Sequence, residues 1–328
     1  MRTGENPSKT SHQLGGYARH RIIMPVFIPN SDGYFERSLD VLKLCLESLR
    51  LTAGGKASVT IVSNGSAPEV IEELERQRRS GWIDQLLLNG TNRGKVDAAV
   101  SVARGSFEPL ITVADCDVLF KPGWIETIER LFRTFPECGF ACPFPNPNNP
   151  LRYTSATVLG GMLKGELTRA KVVPDEDLDA FAHSVGNPDF FKAKRRNMQV
   201  ILRRDGETAV VGGRHFVFTM RREVLAGVPP VPALSAISPE SDKNWFDLPP
   251  DRLGFWRLSP ARGYVYHLGN VTEPWMYEEL ERCRQAGNAP CGDGCDVPQV
   301  RRPWISRLPY AVRLLILRIV NKLWLRDS

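Results

Sequence analysis

The sequence Ile-Thr-Val-Ala-Asp-Cys-Asp-Val-Leu-Phe at residues 111–120 places two carboxylates directly after four residues that are typical of a buried β-strand. In open α/β sheets, ligands lie at the carboxyl ends of the strands. A buried, unpaired charge is costly, so two acids in such a position need a neutralising partner. Mg²⁺ or Mn²⁺ meets that need, because it binds carboxylate oxygens and keeps positions for the phosphates of a substrate. The alternative is that Asp115 and Asp117 cap the next helix or lie in a solvated turn.

Strands and helices alternate in the sequence around this stretch. The predicted strands are residues 21–28, 57–63, 85–88, 111–115, 210–218 and 263–267. The predicted helices are residues 35–51, 67–80, 96–104 and 124–135. This alternation is typical of a parallel sheet whose faces are covered by helices. Residues 153–205 show little periodicity, and residues 152–171 are interpreted as a loop-helix insertion.

Length and composition indicate a globular protein with one large core. A chain of 328 residues with 42% hydrophobic content can bury one large α/β core, or a core plus an appendage. Its seven cysteines include no C-x-x-C pair, and the N-terminus does not read as a secretory signal, so reduced thiols and a cytoplasmic protein are expected. A zinc site at Cys283, Cys291 and Cys295 is disfavoured because no fourth ligand is evident.

The net charge of +6 lies at one end of the chain. Residues 301–328 contain seven basic residues and one acid, and the other 300 residues contain 36 of each sign. This distribution argues against a broad nucleic-acid-binding face and indicates an anionic partner at the C-terminus.

The C-terminal segment, residues 304–325, has the pattern of an amphipathic helix. Apolar side chains share one face, and basic side chains cluster opposite, with Arg313 at the boundary. The apolar set is Leu308, Val312, Leu315, Ile316, Ile319 and Leu323, and the basic set is Arg307, Arg318, Lys322 and Arg326. Charges this frequent do not suit a spanning helix, so we expect the helix to lie on an anionic membrane surface. The alternative is a helix that docks on the body of the protein or on a partner.

Four motifs in order resemble glycosyltransferase family 2 over roughly residues 21–270. They are the strand with Pro25, Asn64-Gly65-Ser66, Asn92-Arg93-Gly94, and Asp115-Cys116-Asp117. The resemblance implies the GT-A fold, which is a Rossmann-like α/β architecture with a mainly parallel sheet and helices on both faces. It also implies inverting transfer of a sugar from a nucleoside-diphosphate donor. One departure is that Ser63-Asn64 replaces the acids that often precede Gly-Ser, which puts the usual carboxylate contact to the nucleobase in doubt.

The resemblance assigns expected roles to the donor-binding and metal-binding residues. Asp115 would bind the ribose and the metal shell, Asp117 would ligate Mn²⁺ or Mg²⁺, and His267 would be the third protein ligand. The other expected donor-binding residues are Pro29, Asn30 and Asn64 for the nucleoside, Asn92, Arg93, Gly94 and Lys95 for the diphosphate, and Gly212 and Gly213 for the sugar. For Arg93 and Lys95 the alternative is a solvated turn that precedes a helix.

Inverting transfer needs a base for the acceptor hydroxyl. The acidic turn Glu240-Ser241-Asp242 resembles the acidic element of the family, with Ser241 where Glu is usual. This alignment makes Asp242 the expected catalytic base and Glu240 its rival. The alternative is that both acids only cap the following helix.

The prediction is therefore a metal-dependent inverting glycosyltransferase, a hexosyl- or related sugar transferase in polysaccharide biosynthesis. Its acceptor would be a lipid-linked or cell-surface glycan, and it would lie in the cytoplasm at the inner face of the cell membrane. One alternative is a non-catalytic nucleotide-sugar-binding protein. Another is a sugar-phosphate nucleotidyltransferase, although no Gly-rich, Arg-containing loop follows the first strand.

The sequence also predicts how the chain is divided into domains. Residues 1–19 would form a flexible leader and residues 20–275 the GT-A domain, with a donor half at 20–120 and an acceptor half at 121–275. Residues 276–328 would form a C-terminal extension that carries the amphipathic helix.

Overall fold

The computed structural model describes residues 4–6, 9, 18–286 and 304–325. Most of the predicted leader, Cys291, Cys295 and Arg326 lie outside the described residues. The strands are β1 (His20–Val26), β2 (Ser58–Asn64), β3 (Gln85–Asn89), β4 (Leu110–Ala114), β5 (Val118–Phe120), β6 (Cys138–Ala141), β7 (Leu167–Ala170), β8 (Gln199–Arg204), β9 (Glu207–Val211), β10 (Val217–Arg221), β11 (Trp256–Pro260) and β12 (Val265–His267).

The α-helices are numbered in the same chain order. They are α1 (Ser38–Ala53), α2 (Pro68–Arg79), α3 (Lys95–Gly105), α4 (Trp124–Thr134), α5 (Ser155–Leu163), α6 (Asp175–Ser184), α7 (Ala193–Asn197), α8 (Pro239–Asp242), α9 (Leu248–Arg252), α10 (Pro274–Ala286) and α11 (Tyr310–Val320).

Ten strands form one sheet in the order β3-β2-β1-β4-β10-β6-β11-β9-β8-β7. The first four run parallel, which brings the carboxyl ends of β1, β2 and β4 to the same edge. The rest of the sheet is mixed, with β10 antiparallel to β4 and β6 parallel to β11. The α/β class predicted from the sequence is confirmed, and its parallel part is the half that contains Asp115.

Helices cover both faces of this sheet. Successive side chains of a strand point to opposite faces. His20 in β1 contacts the ring of Trp124 in α4, with ring centroids 6.1 Å apart. Its neighbour Arg21 lines a cavity together with Ser101 of α3. Therefore α3 and α4 lie on opposite faces, as expected for a sheet with buried strands.

The chain makes a tight hairpin in a region where the sequence showed little periodicity. β8 and β9 pair antiparallel and are joined by Asp205 and Gly206, with φ values of 48° and 78°. Two positive φ values are typical of a type I′ turn, for which Asp-Gly is a favoured sequence. The strand predicted at residues 210–218 is instead divided between β9 and β10, which are not neighbours in the sheet. The division falls at Gly212, whose φ is 100°.

A small second sheet places His267 beside the acidic motif. β5, which follows Asp117, pairs antiparallel with β12, and His267 is opposite Val118 in the register. The peptide N–H of Leu268 donates to the backbone oxygen of Asp117 at 2.7 Å. Two residues 150 positions apart in the chain are thereby fixed next to each other.

The C-terminal helix α11 packs against α5 through one face. Arg313, predicted at the boundary of the two faces, is instead buried with 1% exposure, and Leu317 is buried beside it. Val312, Leu315 and Ile319 are exposed, as is Leu323 after the helix. No helix in the described ranges has the length and apolar character needed to cross a bilayer.

Candidate active site

A cavity of about 460 Å³ lies at the carboxyl edge of β1, β2 and β4. We call it the first cavity. Its polar lining includes Asn64, Asn92, Lys95, Asp115 and Asp117, which the sequence analysis had selected as site residues. The structure thus brings together residues from three strand ends and from the start of α3, because parallel strands share one carboxyl edge.

Lys95 forms an ion pair with Asp115 inside this cavity. Its Nζ lies 2.6 Å from Asp115 Oδ1 and donates to the backbone oxygen of His215 at 3.3 Å. Burial alone would lower the pKa of Lys95, but Asp115 and Asp242 more than offset this and raise it. Lys95 therefore keeps its positive charge at the floor of the first cavity.

Asp117 and His267 form the second pair of charged or polar groups at this edge. Asp117 Oδ2 lies 3.6 Å from His267 Nε2. Asp117 Oδ1 and His267 Nδ1 are both buried, with no hydrogen-bond partner in the described part of the chain. Burial raises the pKa of Asp117, and His267 opposes that rise. The pair therefore has unused ligand capacity.

A divalent cation fits this pair, although three protein ligands do not meet here. No group of three His, Cys, Asp or Glu side chains in the described ranges is arranged to hold a metal ion. Asp115, expected in the metal shell, is taken up by Lys95. Carboxylate oxygen and imidazole nitrogen suit Mn²⁺, and such ions in phosphate-binding sites use few protein ligands because substrate oxygens and water complete the shell.

Three asparagines tie the end of β2 to the loop before α3. Asn64 Nδ2 donates to Asn92 Oδ1 at 2.8 Å, and Asn64 Oδ1 accepts from Asn89 Nδ2 and from the peptide N–H of Arg93. Asn64 is only 2% exposed, so its side-chain amide is largely used within the protein. It positions this loop beside the cavity, a role that the sequence analysis did not anticipate.

The aromatic wall of the first cavity was also missed in the sequence. Phe27, Tyr34 and Phe35 line it, and Phe35 makes edge contacts with both of the others, at centroid distances of 6.1 Å and 5.2 Å. Tyr34 is 68% exposed. Their clustering within nine residues of one another after β1 is a signal that could have been used. Exposed rings beside a polar cavity offer a stacking surface.

A loop at residues 233–237 borders the first cavity on another side. Asp97 in the first turn of α3 accepts hydrogen bonds from the peptide N–H groups of Ala233 and Leu234. Gly94 has a φ of 83°, and a Cβ there would lie 2.0 Å from the backbone oxygen of Ser235. Gly94 therefore serves close packing of this loop.

A second cavity, of about 420 Å³, adjoins the first through Ile237, which lines both. Its lining includes Gly212, Gly213 and Asp242. A Cβ at Gly213 would lie 2.6 Å from Cys142 Cβ, so only glycine fits there. We call this space the second cavity.

The two candidate bases differ sharply in position. Asp242 is 6% exposed, and its Oδ1 has no hydrogen-bond partner in the described ranges. Glu240 has a side chain that is 69% exposed and forms an ion pair with Lys243 at 2.9 Å. The helix cap is Ser238, whose hydroxyl accepts from the peptide N–H of Ser241. Neither acid is needed as the cap.

Asp242 is the first of four side chains that contact one another in succession, followed by His215, Asp247 and Arg257. Its Oδ2 lies 3.5 Å from His215 Nε2, and His215 Nδ1 lies 3.3 Å from Asp247 Oδ2. Asp247 Oδ1 accepts from Arg257 Nη2 at 2.7 Å. Burial raises the pKa of Asp242 against the opposing effects of Lys95 and His215. Burial would also raise the pKa of Asp247, but Arg257 and His215 lower it to about 2. Asp247 therefore remains charged and orients His215.

Some predicted site residues lie outside both cavities. Pro29 and Asn30 do not line the first cavity. The residues from this segment that line it are Pro25, Phe27 and Ile28. Arg93 lines a third cavity, of about 450 Å³, together with Arg21 and Phe107. The peptide N–H of Arg93, and not its guanidinium, is directed to Asn64.

Comparison with known proteins gives one family match and several structural likenesses. Residues 26–171 match the model of Glycosyl transferase family 2, and no curated protein matches the chain in sequence. The chain is similar to mannosyltransferase PcManGT from Pyrobaculum calidifontis in complex with GDP-Man and Mn²⁺, at 12% identity and a TM-score of 0.45, covering 94% of this chain and 75% of that one. It is similar to S. aureus TarS in complex with UDP-GlcNAc, at 11% identity and a TM-score of 0.42, covering 81% of this chain and 65% of that one. It is also similar to the inositol-1-phosphate CTP transferase from T. maritima, at 10% identity and a TM-score of 0.42, covering 84% of this chain and all of that one.

Proposed function

Because residues 26–171 match the model of Glycosyl transferase family 2, as the sequence analysis predicted, and the chain has an α/β fold with a parallel donor side, we propose that this protein is a metal-dependent inverting glycosyltransferase of the GT-A class. The observation that supports the metal is the pair Asp117–His267, 3.6 Å apart, with an unpartnered buried atom on each side chain. The donor would be a nucleoside-diphosphate sugar in the first cavity.

Different parts of the first cavity would bind the nucleobase, the ribose and the diphosphate of such a donor. Phe27 and Tyr34 would offer faces for the nucleobase, and Asp115, paired with Lys95 through Oδ1, would accept a ribose hydroxyl on its second oxygen. Lys95 and a cation on Asp117 and His267 would neutralise the diphosphate. When bound, that cation supplies Lewis-acid assistance to the departing nucleoside diphosphate.

The second cavity would hold the acceptor and the base. Asp242 lines the second cavity and has a buried oxygen without a hydrogen-bond partner in the described ranges, so it could take the proton of an acceptor hydroxyl while the diphosphate leaves towards Asp117. Attack from one side and departure from the other inverts the anomeric centre. In this proposal the donor half and the acceptor half predicted from the sequence meet at Ile237.

The C-terminal helix would hold the protein on an anionic membrane, on the cytoplasmic side. Leu315, Ile319 and Leu323 form an exposed apolar stripe, with the exposed basic residues Arg318 and Lys322 beside it. An apolar stripe flanked by cations is the pattern of an interfacial helix. It supports an acceptor that is a lipid-linked or surface glycan.

The test is an Asp117→Asn substitution assayed for transfer and for Mn²⁺-dependent donor binding. We expect donor binding to lose its dependence on Mn²⁺ and transfer to fall to background, because the amide is a poorer ligand for a hard cation. Asp189→Asn, a matched change at an exposed position, should leave both unchanged. Equal donor affinity in wild type and Asp117→Asn, with metal present, would contradict the metal site.

Product analysis separates the remaining functions. Release of a nucleoside diphosphate with a glycosylated acceptor supports the proposal. Release of pyrophosphate from a nucleoside triphosphate and a sugar phosphate would identify a nucleotidyltransferase, and donor binding without any product would identify a binding protein.

A further inference from the structure

The second cavity contains two arginines that lack an acidic partner. Arg152 and Arg214 both line it. No carboxylate in the described ranges lies within ion-pair distance of either guanidinium, whereas Arg257 in the same wall pairs with Asp247. Arg152 is exposed, but Arg214 is only partly exposed and its Nε is buried, and a guanidinium removed from water is costly unless an anion accompanies it.

Arg214 packs against two aromatic rings in this position. Its guanidinium carbon lies 4.9 Å from the ring centroid of Phe181 and 4.4 Å from that of Phe190. Its Nε is buried and has no hydrogen-bond partner in the described part of the chain. Burial, together with the nearby charge of Arg152, lowers the pKa of Arg214. Two like charges therefore line one cavity, and two aromatic rings pack against one of them.

The acids of the second cavity cannot neutralise this pair. Asp247 is occupied by Arg257 and His215, at 2.7 Å and 3.3 Å. Asp242 contacts His215 and is the proposed base. The lining thus contains three arginines and two aspartates, of which Asp247 is engaged by Arg257 and Asp242 lies beside His215.

We propose that the second cavity binds an oxyanion, a phosphate or a carboxylate, carried by the acceptor, and that Arg152 and Arg214 are its ligands. The guanidinium fork matches both groups and can bind two of their oxygens at once. Binding the anion there would place a hydroxyl of the same acceptor at Asp242. This inference rests on the proposed function, and it names the chemical class of the acceptor.

The diphosphate of the donor is a different anion in a different place. It is assigned to the first cavity, which Lys95 and Asp117 line, and neither Arg152 nor Arg214 lines that cavity. The second cavity therefore needs an anion of its own.

Calorimetry with three small probes tests the proposal: inorganic phosphate, glucuronate and methyl glucoside, each titrated into the full-length protein with EDTA present. We expect phosphate, glucuronate or both to bind, and methyl glucoside to bind at least tenfold more weakly. The double variant Arg152→Gln, Arg214→Gln should weaken binding of the anion tenfold or more, since hydrogen bonds to charged groups are among the stronger ones. Lys95→Gln should retain it, and Arg79→Gln, an exposed arginine in α2, is the matched control.

The variant Arg214→Lys tests whether a loss of anion binding could result from misfolding. It keeps the charge and loses the fork, so it should bind the anion with intermediate affinity while its thermal unfolding stays close to that of wild type. Phosphate binding without glucuronate binding would identify a phosphorylated acceptor, and the reverse a uronic acid. Binding of neither anion, or anion binding that is lost in Lys95→Gln and kept in the double variant, would overturn the proposal.

The same variants separate this inference from the proposed function. Mn²⁺-dependent binding of a nucleoside diphosphate should survive in the double arginine variant. If wild type binds the anion in the second cavity but binds no nucleoside diphosphate, the proposed function fails and the anion site stands.

Discussion

Asp242 and Glu240 are two residues apart, yet only one of them faces a cavity. The side chain of Asp242 points inward from α8 next to His215, and that of Glu240 lies on the surface with Lys243. A buried carboxylate that is near an unfilled space is suited to take a proton, whereas an exposed one paired with lysine is not.

We expect Asp242→Asn to slow transfer at least about a hundredfold while donor affinity changes little, because positioned bases contribute factors of that size. Single-turnover kinetics and donor titration measure the two quantities. Glu240→Gln is the matched control and should transfer at close to the wild-type rate. If Glu240→Gln instead loses transfer and Asp242→Asn keeps it, the base is Glu240.

His215 should affect the pH dependence of transfer. The base must be unprotonated, so the rate falls as the pH drops through the pKa of Asp242. His215 is one of the groups that hold this pKa down against burial. In His215→Gln the pKa of Asp242 should rise, and the acid limb of the rate profile should move to higher pH. A uniformly lower rate with an unmoved limb would show that His215 only supports the structure.

Among the elements, α11 combines a buried face with an exposed one. Arg313 donates from Nη1 to the backbone oxygen of Asp251 at 2.6 Å and from Nη2 to that of Arg252 at 2.8 Å. The Asp251 carboxylate, 0% exposed, forms an ion pair with Arg313, whose Nη1 lies 3.6 Å from Asp251 Oδ1, and accepts from Ser155 Oγ and from the peptide N–H of Ala156. The helix is therefore fastened to the body, and removing residues 301–328 would leave Asp251 buried without its cation.

Arg313→Leu should lower the free energy of unfolding by about 3 kcal/mol, since breaking a buried ion pair by removing one partner typically costs that much. Arg318→Leu, on the exposed face of the same helix, should change it by less than about 0.5 kcal/mol. Denaturant titration compares the two variants. Equal stabilities would mean that α11 does not dock through Arg313.

Membrane binding is better tested by surface changes than by deletion. Replacing Leu315, Ile319 and Leu323 with serine removes the exposed stripe and leaves the buried face of α11 intact. We expect this variant to be lost from anionic vesicles in a sedimentation assay, and Arg318→Gln with Lys322→Gln to weaken binding by about 1 kcal/mol per charge removed.

The control for that assay replaces two other exposed leucines, Leu88 and Leu163, with serine. This variant should sediment with the vesicles as wild type does. Wild-type protein that stays in the supernatant with anionic vesicles at low salt would refute the membrane contact.

At the scale of the whole molecule, the first cavity joins distant parts of the chain. Its walls come from the end of β1, the start of α3, the Asp115–Asp117 motif, the loop at 236–237 and the residues after β12. A ligand that fills it contacts all of these segments and is bound only when they are assembled.

A nucleoside diphosphate with Mn²⁺ should therefore raise the melting temperature. At a concentration a hundred times its dissociation constant it adds about 2.7 kcal/mol, which for a chain of this length corresponds to roughly 4 °C. A thermal-shift screen of several nucleoside diphosphates, with Mn²⁺ and with EDTA, should single out one nucleobase. A shift of the same size in EDTA would contradict a role for the cation.

The sequence alone determined the α/β class, the family resemblance and the residues of the first cavity that follow strands. Asp115, Asp117, Asn64 and Lys95 could be selected because the carboxyl ends of parallel strands meet at one edge, so position along a strand implies position in space. The Asp205-Gly206 turn was not predicted from the sequence, although its backbone conformation is a local property that Asp-Gly favours.

Only the tertiary structure decided the contacts between segments that are far apart in the chain. The pairing of β5 with β12 sets His267 beside Asp117, and the connection between β9 and β10 brings His215 to Asp242. The burial of Arg313 likewise depends on Asp251, 62 residues earlier. Periodicity describes which side of its own element a residue occupies, and it holds no information about which distant backbone oxygen or carboxylate will meet that side.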